Sequence, residues 1–167
     1  MSVYATPEAF ERLYRELAPK LASYLVANGV SAATAGDIAQ ETFMRMWRRR
    51  EELQEDASQV SGLAFTIARN LRTDGWRKDR HETVVKEVPE TAVDPSELPS
   101  DAAYLRRRLA AAFAELPPLL REAYTLFQVM ELPIREIAVR TNTTEANVKV
   151  RIFRAKEKLR PLLADLL

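Results

Sequence analysis

An all-helical protein of two small domains is the fold class the sequence predicts, and three observations carry that reading. The 167 residues hold only 4 glycines, and the β-branched residues do not gather into strand-like runs. Apolar residues return at three- and four-residue steps along most of the chain, the spacing of one buried helical face. Between two such helical stretches the composition turns acidic and proline-bearing, as a connecting segment does. At roughly 150 residues per domain, the length suits one ordinary domain or two small ones.

Elements follow in order. Phe10, Leu13, Tyr14, Leu17, Leu21, Tyr24 and Leu25 trace the buried face of a first helix. Ile38, Phe43, Met46 and Trp47 trace a second, and Leu63, Ile67 and Leu71 a third. These make a helical domain over 1–80. From His81 to Ala103, six acids stand against Lys86, and Pro89, Pro95 and Pro99 interrupt any helix. That segment, 81–103, is expected to be a flexible acidic linker. Helical pattern resumes with Tyr104, Leu105, Leu109, Ala112, Phe113 and Leu116, opening a second domain over 104–167. Pro117 and Pro118 end that helix and begin the next, since proline fits a helix start.

Pro133 opens a short helix with Ile134, Ile137 and Ala138 on one face. Asn142 then falls where a helix-turn-helix needs a left-handed residue, a conformation asparagine tolerates better than most side chains. Thr143 or Thr144 caps a long final helix near Glu145, whose buried stripe is Val148, Ile152, Ala155 and Leu159. Its other faces carry Lys149, Arg151, Arg154, Lys156, Lys158 and Arg160 against Glu157, a local charge of +5, with Phe153 among the cations. A merely solvated helix would mix its signs more evenly. A projecting basic helix fits the DNA major groove and neutralises phosphates.

A second basic cluster, Arg69, Arg72, Arg77, Lys78 and Arg80, is interleaved with Phe65, Asn70 and Trp76. Cations, aromatics and an amide are what unpaired bases need, although Phe65 and Trp76 serve a core equally well. Asp37, Gln40 and Glu41 share one helical face and offer a polar surface to a protein partner or to solvent.

Composition excludes several classes. With no cysteine, a disulfide scaffold, thiolate catalysis and a Cys-bound zinc are ruled out. The longest apolar runs, such as Leu109 to Ala114, are too short to span a membrane. No signal peptide is visible, so a cytoplasmic location is expected. Neither a metal site nor a cofactor motif is evident, and no catalytic residues are expected. The formal charge of +1 looks unsuited to nucleic acid, but it conceals two basic clusters and an acidic segment that cancel.

Four stretches together resemble the extracytoplasmic-function (ECF) sigma factors of the sigma-70 family, in that family's order. They are Asp-Ile-Ala-Gln-Glu-Thr-Phe-Met-Arg-Met-Trp (37–47), Phe-Thr-Ile-Ala-Arg-Asn-Leu-Arg-Thr-Asp (65–74), Leu-Pro-Pro-Leu-Leu-Arg-Glu-Ala (116–123) and Asn-Val-Lys-Val-Arg-Ile-Phe-Arg-Ala-Lys-Glu-Lys-Leu (147–159). The resemblance implies a subunit that directs promoter-specific transcription initiation by core RNA polymerase, with promoter DNA and an anti-sigma factor as further partners. It assigns polymerase binding to Asp37, Gln40, Glu41 and Arg45. Capture of the unpaired −10 strand falls to the Leu53–Gly62 loop and to Arg69, Asn70, Thr73, Arg77 and Lys78. Reading of the −35 duplex falls to Asn147, Lys149, Arg151, Phe153 and Arg154.

Three departures from the family pattern stand out. Thr34, Ala35 and Gly36 stand where acids are common, and phosphorylation of Thr34 or Ser31 would restore negative charge there. Leu63 replaces a frequent aromatic. Val150 is apolar where a small polar residue is usual, and it either meets a thymine methyl or adds to the core. A stand-alone helix-turn-helix regulator and a sigma-like decoy for an anti-sigma protein are the competing readings.

Overall fold

A computed structural model describes residues 2–75 and 100–166. Seven α-helices and two short 3-10 turns, without a strand, make up the described residues. Arg77, Lys78, Trp76 and the expected linker up to Pro99 lie outside them.

Helix α1 spans Pro7–Ala27, α2 Ala32–Arg48 and α3 Ala57–Thr73. Each begins at a side-chain oxygen that satisfies an orphan backbone amide. Thr6 Oγ1 accepts from the Ala9 amide at 3.2 Å, Ser31 Oγ from Thr34 at 3.3 Å, and Asp56 Oδ1 from Ser58 at 2.8 Å. The Ser58 hydrogen bonds hold the exposed Asp56 carboxyl below its ordinary pKa. Gly29, at φ 95°, turns the chain from α1 into α2 in a conformation that side chains resist.

Leu21, Leu25, Ile38, Met46, Val60, Phe65 and Ala68 fill the space between these helices. Phe10 meets Trp47 edge-on at 5.1 Å, and Tyr24 meets Phe65 at 5.6 Å. Two expectations shift here. Tyr14 is 42% exposed, although its ring still stacks edge-on against Phe43. In α3 the buried stripe is Val60, Ala64, Ala68 and Leu71, and Leu63 and Ile67 are only half-buried. Ala64 and Ala68 take the core-facing positions between Val60 and Leu71, and Leu63 and Ile67 beside them end at the rim.

The second half contains α4, Ser100–Ala114; α5, Pro118–Gln128; α6, Ile134–Arg140; and α7, Glu145–Leu162. Helix α4 begins at Ser100, inside the expected linker and four residues before Tyr104. Tyr104 and Leu105 are exposed, while Ala112 and Leu116 pack on Ala155 and Leu159 of α7. Pro117 caps α5 and Pro118 is its first residue, as the sequence predicts. Arg108 clasps the carboxylate of Asp165 through both its terminal nitrogens, at 2.6 and 2.7 Å.

The two halves share a hydrophobic core. Leu126, Met130, Leu132 and Ile137 of the second half join the cluster built on α1–α3. Tyr24 donates its hydroxyl to Glu122 Oε2 at 3.0 Å, and Asn28 Nδ2 donates to Thr125 Oγ1 at 2.9 Å. Burial, followed by the neighbouring Glu122 carboxylate, pushes the Tyr24 phenol far above its ordinary pKa, so it stays a donor.

Candidate nucleic-acid interface

The helix-turn-helix is built from α6, α7 and the turn between them. Asn142 adopts φ 56°, the left-handed conformation the spacing predicts. The Thr143 amide reaches back to the Ala138 carbonyl at 2.9 Å, which closes the turn. Of the two threonines considered, Thr144 is the cap: its Oγ1 accepts from the Asn147 amide at 3.1 Å. Thr144→Ala should cost about 1 kcal/mol of stability, read as a lowered urea midpoint with unchanged slope.

Val148, Ile152, Ala155 and Leu159 are all buried, so the opposite face of α7 projects outward. Asn147, Lys149, Phe153 and Arg154 are exposed on it, and Arg151 is partly so. Phe153 is 61% exposed, and no packing role accounts for it. Val150 is 45% exposed, which removes the reading of it as extra core. The Asn147 amide donates to Thr143 Oγ1 at 3.1 Å, fixing its side chain at the helix start. Not every cation in the run points the same way. Lys156 lies 5.9 Å over the Phe127 ring, and Arg160 pairs with Glu157 at 4.0 Å. Lys149, Arg151 and Arg154 form no ion pair among the described residues.

A second surface lies at the end of α3, where Arg69, Asn70 and Thr73 are exposed. Asn70 stands at the edge of a cleft of about 430 Å³ whose walls include Arg45, Arg49, Leu53, Leu63 and Ile67. The half-burial of Leu63 and Ile67 is thus explained: they line an open apolar floor beneath cations and an amide. Sequence reasoning missed Arg49, whose signal was the arginine run at the end of α2.

Three expectations change at this surface. Phe65 is fully buried and belongs to the core. Arg72 is committed to the Asn28 carbonyl at 2.8 Å, where it anchors the turn after α1. The Leu53–Gly62 segment is a loop only through Asp56, because the Asp56 cap starts α3 at Ala57.

On α2, Asp37, Gln40, Glu41 and Arg45 share a face, with Gln40 and Arg45 exposed. Glu41 and Arg45 pair at 3.2 Å. Met44, 47% exposed on the same face, is an apolar contact the sequence pattern did not single out. Ser31 Oγ is engaged as the α2 cap, three residues from Thr34. No cluster of three or more metal-ligating side chains occurs among the described residues. None of the described helices is long and apolar enough to cross a membrane.

The described residues therefore form a helical protein with a basic α7 face, on which Lys149, Arg151 and Arg154 form no ion pair, and a separate cation-rimmed cleft, features that suit nucleic acid. Residues 13–82 match the family model for sigma-70 region 2, and residues 106–159 match that for sigma-70 region 4. The RNA polymerase sigma factor CarQ of Myxococcus xanthus is 32% identical over 160 residues, 95% of this chain and 91% of that protein. The ECF RNA polymerase sigma factor RpoE of Cereibacter sphaeroides is 31% identical, covering 91% of this chain and 84% of the relative.

Solved structures share the fold across both halves. The sigma factor RpoE in complex with the anti-sigma factor NepR from Bartonella quintana superimposes with a TM-score of 0.66 at 22% identity, covering 93% of this chain and 96% of that one. CnrH in complex with the cytosolic domain of CnrY gives 0.64 at 20% identity, covering 96% and 90%. The chain belongs to the ECF sigma factors of the sigma-70 family. It is a transcription initiation factor, and the regulator and decoy readings are not favoured.

Proposed function

We propose that this sigma factor divides promoter recognition between two separate faces and docks on polymerase through a third. Helix α7 enters the major groove of the −35 element with Asn147, Lys149, Arg151, Phe153 and Arg154. The end of α3, with Arg69, Asn70 and Thr73 and with Arg77 and Lys78 beyond the described residues, holds the unpaired −10 strand. Asp37, Gln40, Glu41 and Arg45 bind core polymerase. The observation that carries the reading is the face of α7, where three cations without an ion pair among the described residues flank an exposed phenylalanine. Such a surface costs folding little and gains from phosphate and base contact.

The protein supplies recognition, and polymerase supplies the chemistry. That division places its work in the cytoplasm, with an anti-sigma factor as a further partner. Segment 1–80 serves as the polymerase-and-−10 domain and the segment from Ser100, where α4 begins, to 167 as the −35 domain, with 81–99 as the tether. Run-off transcription with purified core enzyme on a promoter library tests the reading and reveals the sequence read. No promoter-dependent transcript from any template would reject it. Asp37→Ala with Glu41→Ala should weaken core binding about 10-fold, of the order of one charge-assisted contact, and spare duplex binding by the helix-turn-helix. Anisotropy against labelled core checks the first effect and against labelled duplex the second.

A further inference from the structure

We infer, resting on the placement of α7 in the −35 major groove proposed above, that Val150 is a base-selecting residue: it meets the C5-methyl of a thymine and so fixes that base in the promoter sequence this protein reads.

The position of Val150 on the helix carries the assignment. At 3.6 residues per turn it lies about 170° from the mean direction of the buried stripe Val148, Ile152, Ala155 and Leu159, on the outermost line of α7. Ala146, one turn earlier, stands close to the same line and is exposed as well. Lys149 and Phe153 flank the line on one side, and Asn147, Arg151 and Arg154 flank it on the other. The outermost line is therefore apolar over the first turns of the helix, and the charge lies beside it. Further along, Glu157 returns an acid to that line and pairs with Arg160 at 4.0 Å. A carboxylate there would face phosphate, so the part of α7 before it is the part that enters the groove.

Folding gives no reason for a valine at this place. Val150 is 45% exposed and packs in neither hydrophobic cluster of the described residues. Alanine would favour an exposed helical position more, because a β-branched side chain loses rotamer freedom in a helix. Against DNA the same stiffness helps, since the two methyl groups are already held in one orientation.

With cations on both flanks to hold the phosphates of the groove walls, Val150 is the side chain nearest the base edges. Guanine, adenine and cytosine present donors and acceptors there, and thymine alone adds a methyl group. Valine neither donates nor accepts. Opposite a polar edge it displaces water without replacing its hydrogen bonds, whereas opposite a thymine methyl it buries apolar area on both sides. Selection thus comes from the favoured base and from the penalty on the other three.

The test removes the methyl group and nothing else. Holoenzyme assembled from core polymerase and the full chain first selects its template from the promoter library. Each thymine of the selected −35 element, on either strand, is then replaced singly by deoxyuridine, which keeps every hydrogen-bonding group. At one thymine at least, binding and run-off should fall about 4-fold, the contribution of one buried methyl group. Val150→Ala should bind the thymine template about 4-fold more weakly than native protein. In that variant the same uracil should make no further difference, because valine and methyl act only through each other. Alanine suits the helix, so circular dichroism should show helicity retained. Library selection repeated with Val150→Ala should lose base preference at that position alone, whereas a merely structural role would weaken every position together.

Equal binding of thymine and uracil templates by native holoenzyme, or an undiminished uracil effect in Val150→Ala, would overturn the assignment. So would a selected −35 element without thymine. A failure of transcription from every template is a different result: it rejects the promoter reading itself, and this assignment with it.

Discussion

Replacing Lys149 and Arg154 together by alanine should lower promoter-specific transcription by about 100-fold or more, with core binding unchanged. Neither side chain has an ion-pair partner among the described residues, and both are exposed, so their loss removes nothing the fold uses. Surface changes of this kind stay within about 0.5 kcal/mol of native stability. On DNA the balance differs. A cation bidentate to a guanine contributes about 1–3 kcal/mol, and a phosphate contact weakens binding uniformly and takes about 1 from the salt slope. Two lost contacts therefore predict both a large defect and a shallower dependence on salt. Anisotropy with labelled duplex over a salt series measures the slope, and run-off transcription measures the consequence. Loss of core binding in this variant would defeat the division of labour.

Such a test matters because the chain's net charge gives no hint of it. The total is +1, yet α7 alone carries +5 from Lys149 to Arg160. The fold then divides that run further, sending Lys156 toward Phe127 and pairing Arg160 with Glu157. Effective charge on the exposed face of α7, the face proposed to meet DNA, is set by where the helix turns each cation.

The helix-turn-helix was legible residue by residue because its signals are local. A left-handed asparagine, a threonine cap and a four-residue stripe each depend on near neighbours, and Asn142, Thr144 and Val148 behave as the spacing requires. The α3 region was less legible because its packing is long-range. Periodicity favours the bulky Leu63 and Ile67 for the core, but Ala64 and Ala68 face it together with Val60, Phe65 and Leu71, a helix rotation that only the contacts with α1 and α2 decide. Likewise, nothing near Gly62 in the sequence announces Glu136 and Arg140, more than seventy residues away, with which a Cβ there would collide. Only the folded chain shows that this glycine is a seat and not a flexible turn.

Phe65→Ala and Asn70→Ala should separate two roles that the sequence places in one cluster. Phe65 is fully buried against Tyr24, so truncation leaves a cavity and should cost about 3–5 kcal/mol. Against a typical total of about 5–15 kcal/mol, that endangers the whole first domain. Urea denaturation should show a much lower midpoint, and every activity should fall in parallel with the folded fraction. Asn70 is exposed at the cleft edge, where the same truncation leaves stability nearly unchanged. Its amide offers a donor and an acceptor to a base edge, and a lost pair of such bonds corresponds to about 1–3 kcal/mol of discrimination. Binding of a single-stranded −10 oligonucleotide should therefore lose base preference, while α7 still binds duplex normally. Were Asn70→Ala to retain that preference, the cleft would not be the site of strand capture. Were it to unfold like Phe65→Ala, its role would be packing, contrary to its exposure. The two variants sit five residues apart on one helix, and only burial distinguishes what each is expected to do.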